Sequence, residues 1–295
     1  MHKYLRAIGF SKVEKRDQLQ LLLAKTIKDP IYKSVTTYDD NTVLGEYCCD
    51  FGENFGLCVC GEINEKDEFI YEYYYPYLRG SNISSDAYSF VERQAEKLSF
   101  AGVCDDSKVG ISIIYYLQNR TEYVKESYTH PENVEKAPVK FSGLSVQGTI
   151  MMPIEKTEKS EKKVSSNRNK RSKLIEAAKK GDEEAIETLT LDDLDVYSTL
   201  SAKIKDWDVY TLVDTTFMPY GVECDQYTVL GEITALKEVC NNLTYESVYV
   251  MSLLCNEIPI DICINKADLF GEPKVGRRFK GTIWLQGALD LGSHS

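Results

Sequence analysis

Between residues 155 and 173 the sequence offers almost no side chain that a folded core could bury. Lysine, glutamate, serine, asparagine and arginine dominate this stretch. Because such a segment gains little from burying apolar surface, we expect it to be a mobile linker. The chain of 295 residues is also longer than one core usually supports, so we predict an N-terminal domain of residues 1–154 and a second folded part from residue 174.

The N-terminal residues predict helices packed on an antiparallel sheet. Apolar residues at helical spacing indicate a helix over residues 11–28, with Ser11 as its cap, and a second helix over residues 86–99. Between them, short β-rich runs broken by turn residues indicate an antiparallel meander over residues 42–78. Two further strands are expected, over residues 111–117 and 139–152. The predicted fold class is therefore α+β.

Beyond the linker we predict a helical segment followed by a β-rich domain. Residues 174–205 carry helical patterns, in which Gly181 can end one helix and Asp182 can cap the next. Residues 206–291 contain five β-rich runs, and a small five-stranded sheet or barrel is the expected way to close them. In one of these runs isoleucine occupies every second position, which predicts one face made of Ile258, Ile260, Ile262 and Ile264.

The overall charge limits the partners of the protein. Its 46 acidic and 35 basic residues give a formal net charge of -11, which repels nucleic-acid phosphate and anionic lipid. The sequence has no apolar run of about 18 residues and no signal peptide pattern. Its nine cysteines, an odd number, lie in strand-like apolar runs, which is typical of reduced core thiols. We expect a soluble cytoplasmic protein without membrane contact.

One acidic segment concentrates polar groups between two predicted strands. Two carboxylates there could act as an acid and base pair or bind a hard cation. The alternative, which we favour, is a polar connection in which Gly221 supplies an unusual turn. The flanking carboxylates raise the pKa of the thiol between them, so it is a poor nucleophile. The residues of this candidate polar site are Tyr220, Glu223, Cys224, Asp225, Gln226 and Tyr227.

A row of aromatic residues alternates along one predicted strand and forms a candidate aromatic surface. Its members are Phe69, Tyr71, Tyr73, Tyr75 and Tyr77. Such a row can stack on bases or sugars, or grip a peptide. More often it is a sheet face covered by a helix, and we expect the helix over residues 11–28 or 86–99 to cover it.

We predict no metal and no cofactor. Cys58 and Cys60 share one face of a strand and could approach Cys48 or Cys49 on a neighbouring strand if the register allows, but we favour core thiols. With only three histidines, a Ser-His-Asp or Cys-His site is not expected. The sequence contains neither the phosphate-binding loop motif G-x-x-x-x-G-K-S/T nor the dinucleotide-binding motif G-x-G-x-x-G.

Several strings of the chain resemble an uncharacterised bacterial family, the domain of unknown function DUF3881. They occupy residues 1–10, 174–186, 217–227 and 276–285 and read MHKYLRAIGF, LIEAAKKGDEEAI, FMPYGVECDQY and GRRFKGTIWL. The resemblance runs the full length of the chain and implies a cytosolic bacterial protein. It brings no assigned activity, cofactor or catalytic residue.

The leading functional hypothesis is a non-catalytic binding or regulatory protein whose partner is another protein. It rests on the missing catalytic motifs, the 20 tyrosines and the acidic surface. One alternative is a hydrolase or other enzyme that uses residues 220–227. A second is RNA or DNA association through the basic residues of the linker, Lys162, Lys163, Arg168, Lys170, Arg171 and Lys173.

Overall fold

The computed structural model of the protein describes residues 1–94, 98–153 and 215–292. It also describes residues 173–174, 177–178, 180–182, 184–185 and 187–189. The predicted linker, apart from Lys173, lies outside the described residues, and so do residues 190–205 of the predicted helical segment. In the part of that segment that is described, the Asp182 carboxylate accepts hydrogen bonds from the backbone N–H groups of Glu184 and Ala185, as expected of a helix cap.

The N-terminal part of the chain forms an antiparallel sheet, sheet A, preceded by two helices. These are a 3-10 helix over Lys3–Ile8 and helix α1 over Arg16–Lys28. The strands of sheet A pair in chain order, and they are β1 (Tyr32–Thr37), β2 (Val43–Gly52), β3 (Phe55–Ile63) and β4 (Phe69–Leu78). The predicted meander is therefore confirmed.

The remaining strands of the described residues join one ten-stranded sheet. Before the predicted linker these elements are β5 (Ser89–Arg93), β6 (Phe100–Cys104), β7 (Ile113–Leu117), α2 (Arg120–Thr129), α3 (Pro131–Glu135) and β8 (Val139–Met151). After it they are β9 (Thr216–Pro219), β10 (Gln226–Cys240), β11 (Ser247–Cys255), β12 (Ile258–Asn265), a 3-10 helix (Lys266–Asp268), β13 (Leu269–Phe270) and β14 (Arg278–Leu289).

Five strands of the large sheet close into a barrel. In the order β8, β12, β11, β10 and β14 each strand pairs with the next, and β14 pairs back with β8. Register shifts at Ile233/Ala235 and at Gly281/Ile283 help the long strands to bend, as bulges do. Gly148 lies against the ring of Phe279, where an added Cβ would approach within 2.3 Å of a ring carbon. Only glycine permits that close approach.

The predicted α+β class, with its C-terminal helical segment, is wrong, because the described residues are mostly strand. The barrel was expected from residues 206–291 alone. Its fifth strand is instead β8, which precedes the predicted linker and lies between β12 and β14. A strand in a closed barrel satisfies both of its edges, and only tertiary pairing decides which segment fills the last place.

Two local predictions also fail. The segment predicted as a helix over residues 86–99 contains β5 instead, because Ser89 to Arg93 pair with β6 in a hairpin. Between the strands predicted over residues 111–117 and 139–152 we expected a polar stretch around residues 128–137, but the end of α2 and all of α3 lie there. Helix α1 begins at Arg16 rather than at Ser11, whose N–H and hydroxyl groups donate to Glu246.

The packed side chains form two cores, one on each side of the barrel wall. The alternating isoleucines of β12 point into the barrel with Val229, Met251 and Phe279, as predicted. Cys263, between two of them, points outward into the second core. That core fills the space between the barrel, the first 3-10 helix and sheet A, and its aromatic members include Phe51, Tyr75, Tyr116 and Trp284. Sheet A is thereby held against the outside of the barrel.

We predict that cleavage between residues 155 and 172 leaves the two pieces of the chain associated. The reason is that β8, on the N-terminal piece, is hydrogen-bonded to β12 and β14 on the other. After limited proteolysis, the nicked protein should elute from a size-exclusion column as one species and separate only in denaturant. Two folded fragments that elute independently would contradict this expectation and support separate domains.

Candidate functional site

The predicted aromatic row divides in two. A register shift between Cys60 and Gly61 leaves Glu72 as an extra residue in β4. Phe69 therefore packs on Tyr47, with the ring centroids 4.3 Å apart, and Tyr71 is 43% exposed. The other three residues of the row, Tyr73, Tyr75 and Tyr77, are buried together on the opposite face of sheet A.

Neither predicted helix covers these three tyrosines. The ring of Tyr75 packs on Tyr116 of β7, with centroids 4.7 Å apart, and its hydroxyl donates to the Gln118 carbonyl at 2.9 Å. The hydroxyl of Tyr73 donates to the Leu98 carbonyl at 3.1 Å. Strand β7 therefore covers Tyr75 through Tyr116, and the Gln118 and Leu98 carbonyls accept from the buried hydroxyl groups, which need such partners.

A buried ion pair lies directly beside this face. Arg120, the first residue of α2, donates from Nε to the Glu46 carboxylate of β2 at 2.9 Å, and both side chains are at most 3% exposed. Arg120 also donates to the Tyr73 hydroxyl at 3.0 Å, to the Gly45 carbonyl at 3.0 Å and to the Leu98 carbonyl. The second Glu46 oxygen accepts from the Thr121 hydroxyl at 2.7 Å. Both charged groups are thus well supplied with hydrogen-bond partners.

The electrostatic balance at Glu46 has two opposing parts. Burial raises the pKa of its carboxyl group, because the charged form loses hydration, and the Arg120 guanidinium opposes that rise. Burial likewise raises the pKa of Tyr73, so its hydroxyl remains a neutral donor. Neither spacing nor a motif marks Glu46, Arg120 or Thr121 in the sequence. They become neighbours only through tertiary packing.

A cleft in the described part of the chain opens beside Glu46 of this buried pair. Its volume is about 720 Å³, and its floor contains Tyr75, Tyr77 and Cys48 of sheet A. Helix α2 forms one wall, and residues 288–292 at the end of β14 form another. The cleft is also lined by a tyrosine hydroxyl and by charged side chains of both signs, namely Tyr32, Arg79, Glu122, Lys125, Lys140 and Asp290.

The charges around the cleft are partly paired with one another. Arg79 donates to Asp50 at 2.9 Å and to the Tyr77 hydroxyl at 3.0 Å. Lys140 lies 3.1 Å from Asp290. The Tyr32 hydroxyl donates to Glu122 at 3.0 Å. These contacts hold positively and negatively charged side chains in place at the mouth of the cleft.

Two glutamines, half-buried Gln118 and buried Gln286, form a hydrogen-bond network beside the cleft. Gln118 donates to the Leu78 carbonyl at 2.9 Å and to the side chain of Gln286 at 2.7 Å. Gln286, fully buried on β14, donates in turn to the Pro76 carbonyl at 2.8 Å. This network joins β4, β7 and β14, so sheet A and the large sheet share polar as well as apolar contacts.

The candidate polar site lies elsewhere, at the hairpin between β9 and β10. Asp225 accepts from the Trp284 indole at 2.7 Å, and burial raises the pKa of its carboxyl group. Tyr227 is buried, and its hydroxyl accepts from the Ile114 N–H and donates to the Ile114 carbonyl. The Gln226 side chain accepts from the Lys3 ammonium at 3.2 Å. Tyr220, Glu223 and Cys224 are exposed. Burial and the neighbouring carboxylates raise the pKa of Cys224, and Gly221 has a φ of 71°, the turn geometry expected there.

Thiol groups supply the one cluster of possible metal ligands in the described residues. Ligand atoms of Glu46, Cys58 and Cys60 all lie within 4.8 Å of one another. All nine cysteines are free thiols.

Taken together, the fold and the cleft define a mostly β protein in which a four-stranded sheet packs on a five-stranded barrel. Residues 5–287 match the family described as "Domain of unknown function, E. rectale Gene description (DUF3881)". The chain belongs to this family, which confirms the resemblance seen in the sequence. No curated protein and no solved structure matches it. Among the described residues, no helix has the length and apolar character needed to cross a membrane.

Removing one partner of the buried ion pair should destabilise the protein strongly. In Arg120→Met or Glu46→Leu the remaining charge stays buried without its partner, so we expect the free energy of unfolding to fall by about 3–5 kcal/mol. Urea unfolding followed by fluorescence measures this change. The double variant should lose clearly less than the sum of the two single losses. Additive losses would show that the two side chains are not coupled.

The buried phenol of Tyr227 should contribute to alkaline unfolding. Burial raises its pKa from 10.0 to about 12, so its contribution is complete below pH 10 and is lost as the pH rises towards 12. In Tyr227→Phe the free energy of unfolding should fall less steeply over this interval, by up to about 1.4 kcal/mol per pH unit. The control is Tyr245→Phe, because Tyr245 is 80% exposed. Equal slopes in wild type and Tyr227→Phe would contradict the assignment.

Proposed function

We propose that this protein is a non-catalytic binding protein that holds a short segment of a partner protein in the cleft between sheet A, α2 and the end of β14. The observation that carries the proposal is the cleft itself, with a volume of about 720 Å³ and tyrosines on its floor. Clefts of this size are the usual location of ligands on a protein surface.

The tyrosines of the cleft suit binding better than proton transfer. Burial raises the pKa of Tyr75 and Tyr77, and it raises the pKa of Tyr32 to about 12. At neutral pH these hydroxyls stay protonated, so they serve as neutral hydrogen-bonding groups rather than as bases. Their rings add apolar contact area at low cost in side-chain entropy.

The charges at the mouth favour a ligand that carries both signs. Lys125 and Lys140 offer cations, while Glu122 and Asp290 offer carboxylates. A peptide with one acidic and one basic side chain can satisfy both sets, whereas a nucleic acid meets the carboxylates with repulsion. A cytoplasmic location is part of the proposal, supported by the nine free thiols.

A library of short peptides displayed on phage and selected against the intact protein tests this proposal. Selected peptides should bind the wild type and lose about tenfold in affinity, or about 1.4 kcal/mol, with Lys125→Glu and with Tyr32→Ala. Lys125 and Tyr32 lie at the mouth of the cleft, so neither substitution removes a core contact.

Lys66→Glu is the matched control. Lys66 is exposed in the turn between β3 and β4, and replacing it by Glu changes the net charge by the same amount as Lys125→Glu does. Binding to Lys66→Glu should equal that of the wild type. Peptides that bind Lys125→Glu and Tyr32→Ala as tightly as the wild type would contradict the cleft as the binding site.

A further inference from the structure

Three thiols converge on one face of sheet A. The register of β2 and β3 sets Cys48 directly opposite Cys58 and Glu46 directly opposite Cys60. Because side chains two residues apart share a strand face, all four groups point to the same side. Cys49 faces the other way and contacts the Asp50 carbonyl. The register condition that the sequence left open is therefore met by Cys48 and not by Cys49.

The distances between the sulfur atoms suit a metal ion. The Sγ atoms of Cys58 and Cys60 lie 3.9 Å apart, and those of Cys48 and Cys58 lie 2.7 Å apart. Zinc bonds to sulfur are about 2.3 Å long, and at tetrahedral angles they separate two sulfur atoms by about 3.8 Å. The Cys58–Cys60 pair matches this spacing as it stands. Cys48 lies about 1 Å too close to Cys58. It is also outside the group formed by Glu46, Cys58 and Cys60, whose ligand atoms lie within 4.8 Å of one another, so its side chain has to turn towards the ion.

The surroundings provide both access and charge. Cys48 and Glu46 line the cleft, so an ion can reach the cluster from solvent through it. Burial raises the pKa of the Cys60 thiol well above its usual range, and the Arg120 guanidinium, already bonded to Glu46, opposes that rise. Arg120 and Thr121 also hold the Glu46 carboxylate in place, as hydrogen-bonding partners do around metal ligands.

We propose that Cys58 and Cys60, as thiolates, and the Glu46 carboxylate bind one soft divalent cation of the Zn²⁺ type, and that Cys48 turns towards the ion as a third thiolate. Binding replaces three thiol protons by one ion, so three protons leave for solvent. With the ion, three thiolates, Glu46 and Arg120, the cluster carries a net charge of -1. A monovalent ion would leave -2, and a divalent ion is therefore the better match to a buried site.

The experiment uses the reduced, chelator-treated full chain under anaerobic conditions, with Cd²⁺ as the probe. Cadmium–thiolate bonds absorb in the ultraviolet by charge transfer. We expect this absorption to saturate at one equivalent of Cd²⁺, to be reversed by competing Zn²⁺ and to accompany release of about three protons per ion. Cys48→Ser, Cys58→Ser and Cys60→Ser should each weaken Cd²⁺ binding at least tenfold.

Cys255→Ser is the matched control, since Cys255 is another fully buried strand thiol, outside the cluster. It should bind Cd²⁺ like the wild type. Because a serine in the core can unfold the protein, circular dichroism checks each variant, and Cys48→Ala, closest to the cleft, provides a milder removal of one ligand. Native mass spectrometry of the wild type counts the bound ions without any substitution.

Three results would overturn the proposal. One is the absence of charge-transfer absorption in the reduced wild type, and another is absorption that the three cluster substitutions leave unchanged. The third is a reduced protein that binds no Cd²⁺ and forms a Cys48–Cys58 disulfide, two hydrogens lighter, when treated with peroxide. Peptide binding in the cleft is measured separately, so failure of the metal site does not decide the proposed function.

Discussion

The buried pair of Arg120 and Glu46 is the contact on which the surroundings of the cleft depend. Taking two charges out of water costs several kcal/mol per ion, and this cost is offset only if nearly every donor and acceptor finds a partner. Here those partners come from β2, β4, the start of α2 and the Leu98 carbonyl. All four must therefore meet in one arrangement. The cleft floor and the thiol cluster both lie beside that arrangement, so their geometry follows from it.

Where strands bury alternate residues, the sequence was a good guide to the fold. It located the meander of sheet A, and it assigned the isoleucines of β12 to one face. Helix α2 escaped prediction because its inward residues include Arg120 and Thr121, so it has no apolar stripe to detect. The segment over residues 86–99 had apolar spacing that fits a helix, but pairing with β6 overrode it.

The site was harder to predict than the strands for a related reason. The aromatic row was visible in the sequence, yet one extra residue at Glu72 turned Phe69 and Tyr71 away from the other three. The acidic segment over residues 220–227 looked chemically rich, while much of its polarity satisfies local structure, such as the bond from Trp284 to Asp225. By contrast, Glu46, Gln118 and Gln286 are ordinary residues in the sequence. Their importance comes from the hydrogen bonds that they make between distant segments, which only the folded structure reveals.

The position of β8 in the barrel also affects how the chain is made. A ribosome releases β8 long before β14, although the two lie side by side in the finished protein. During that interval both edges of β8 have unsatisfied hydrogen-bonding groups, and its apolar side chains have no cover, among them Phe141 on one face and Leu144 on the other. The barrel can close only after nearly the whole polypeptide has been synthesised. Nascent chains of this protein are thus exposed to mispairing from the synthesis of β8 until that of β14, and protection by a chaperone would matter most during that period.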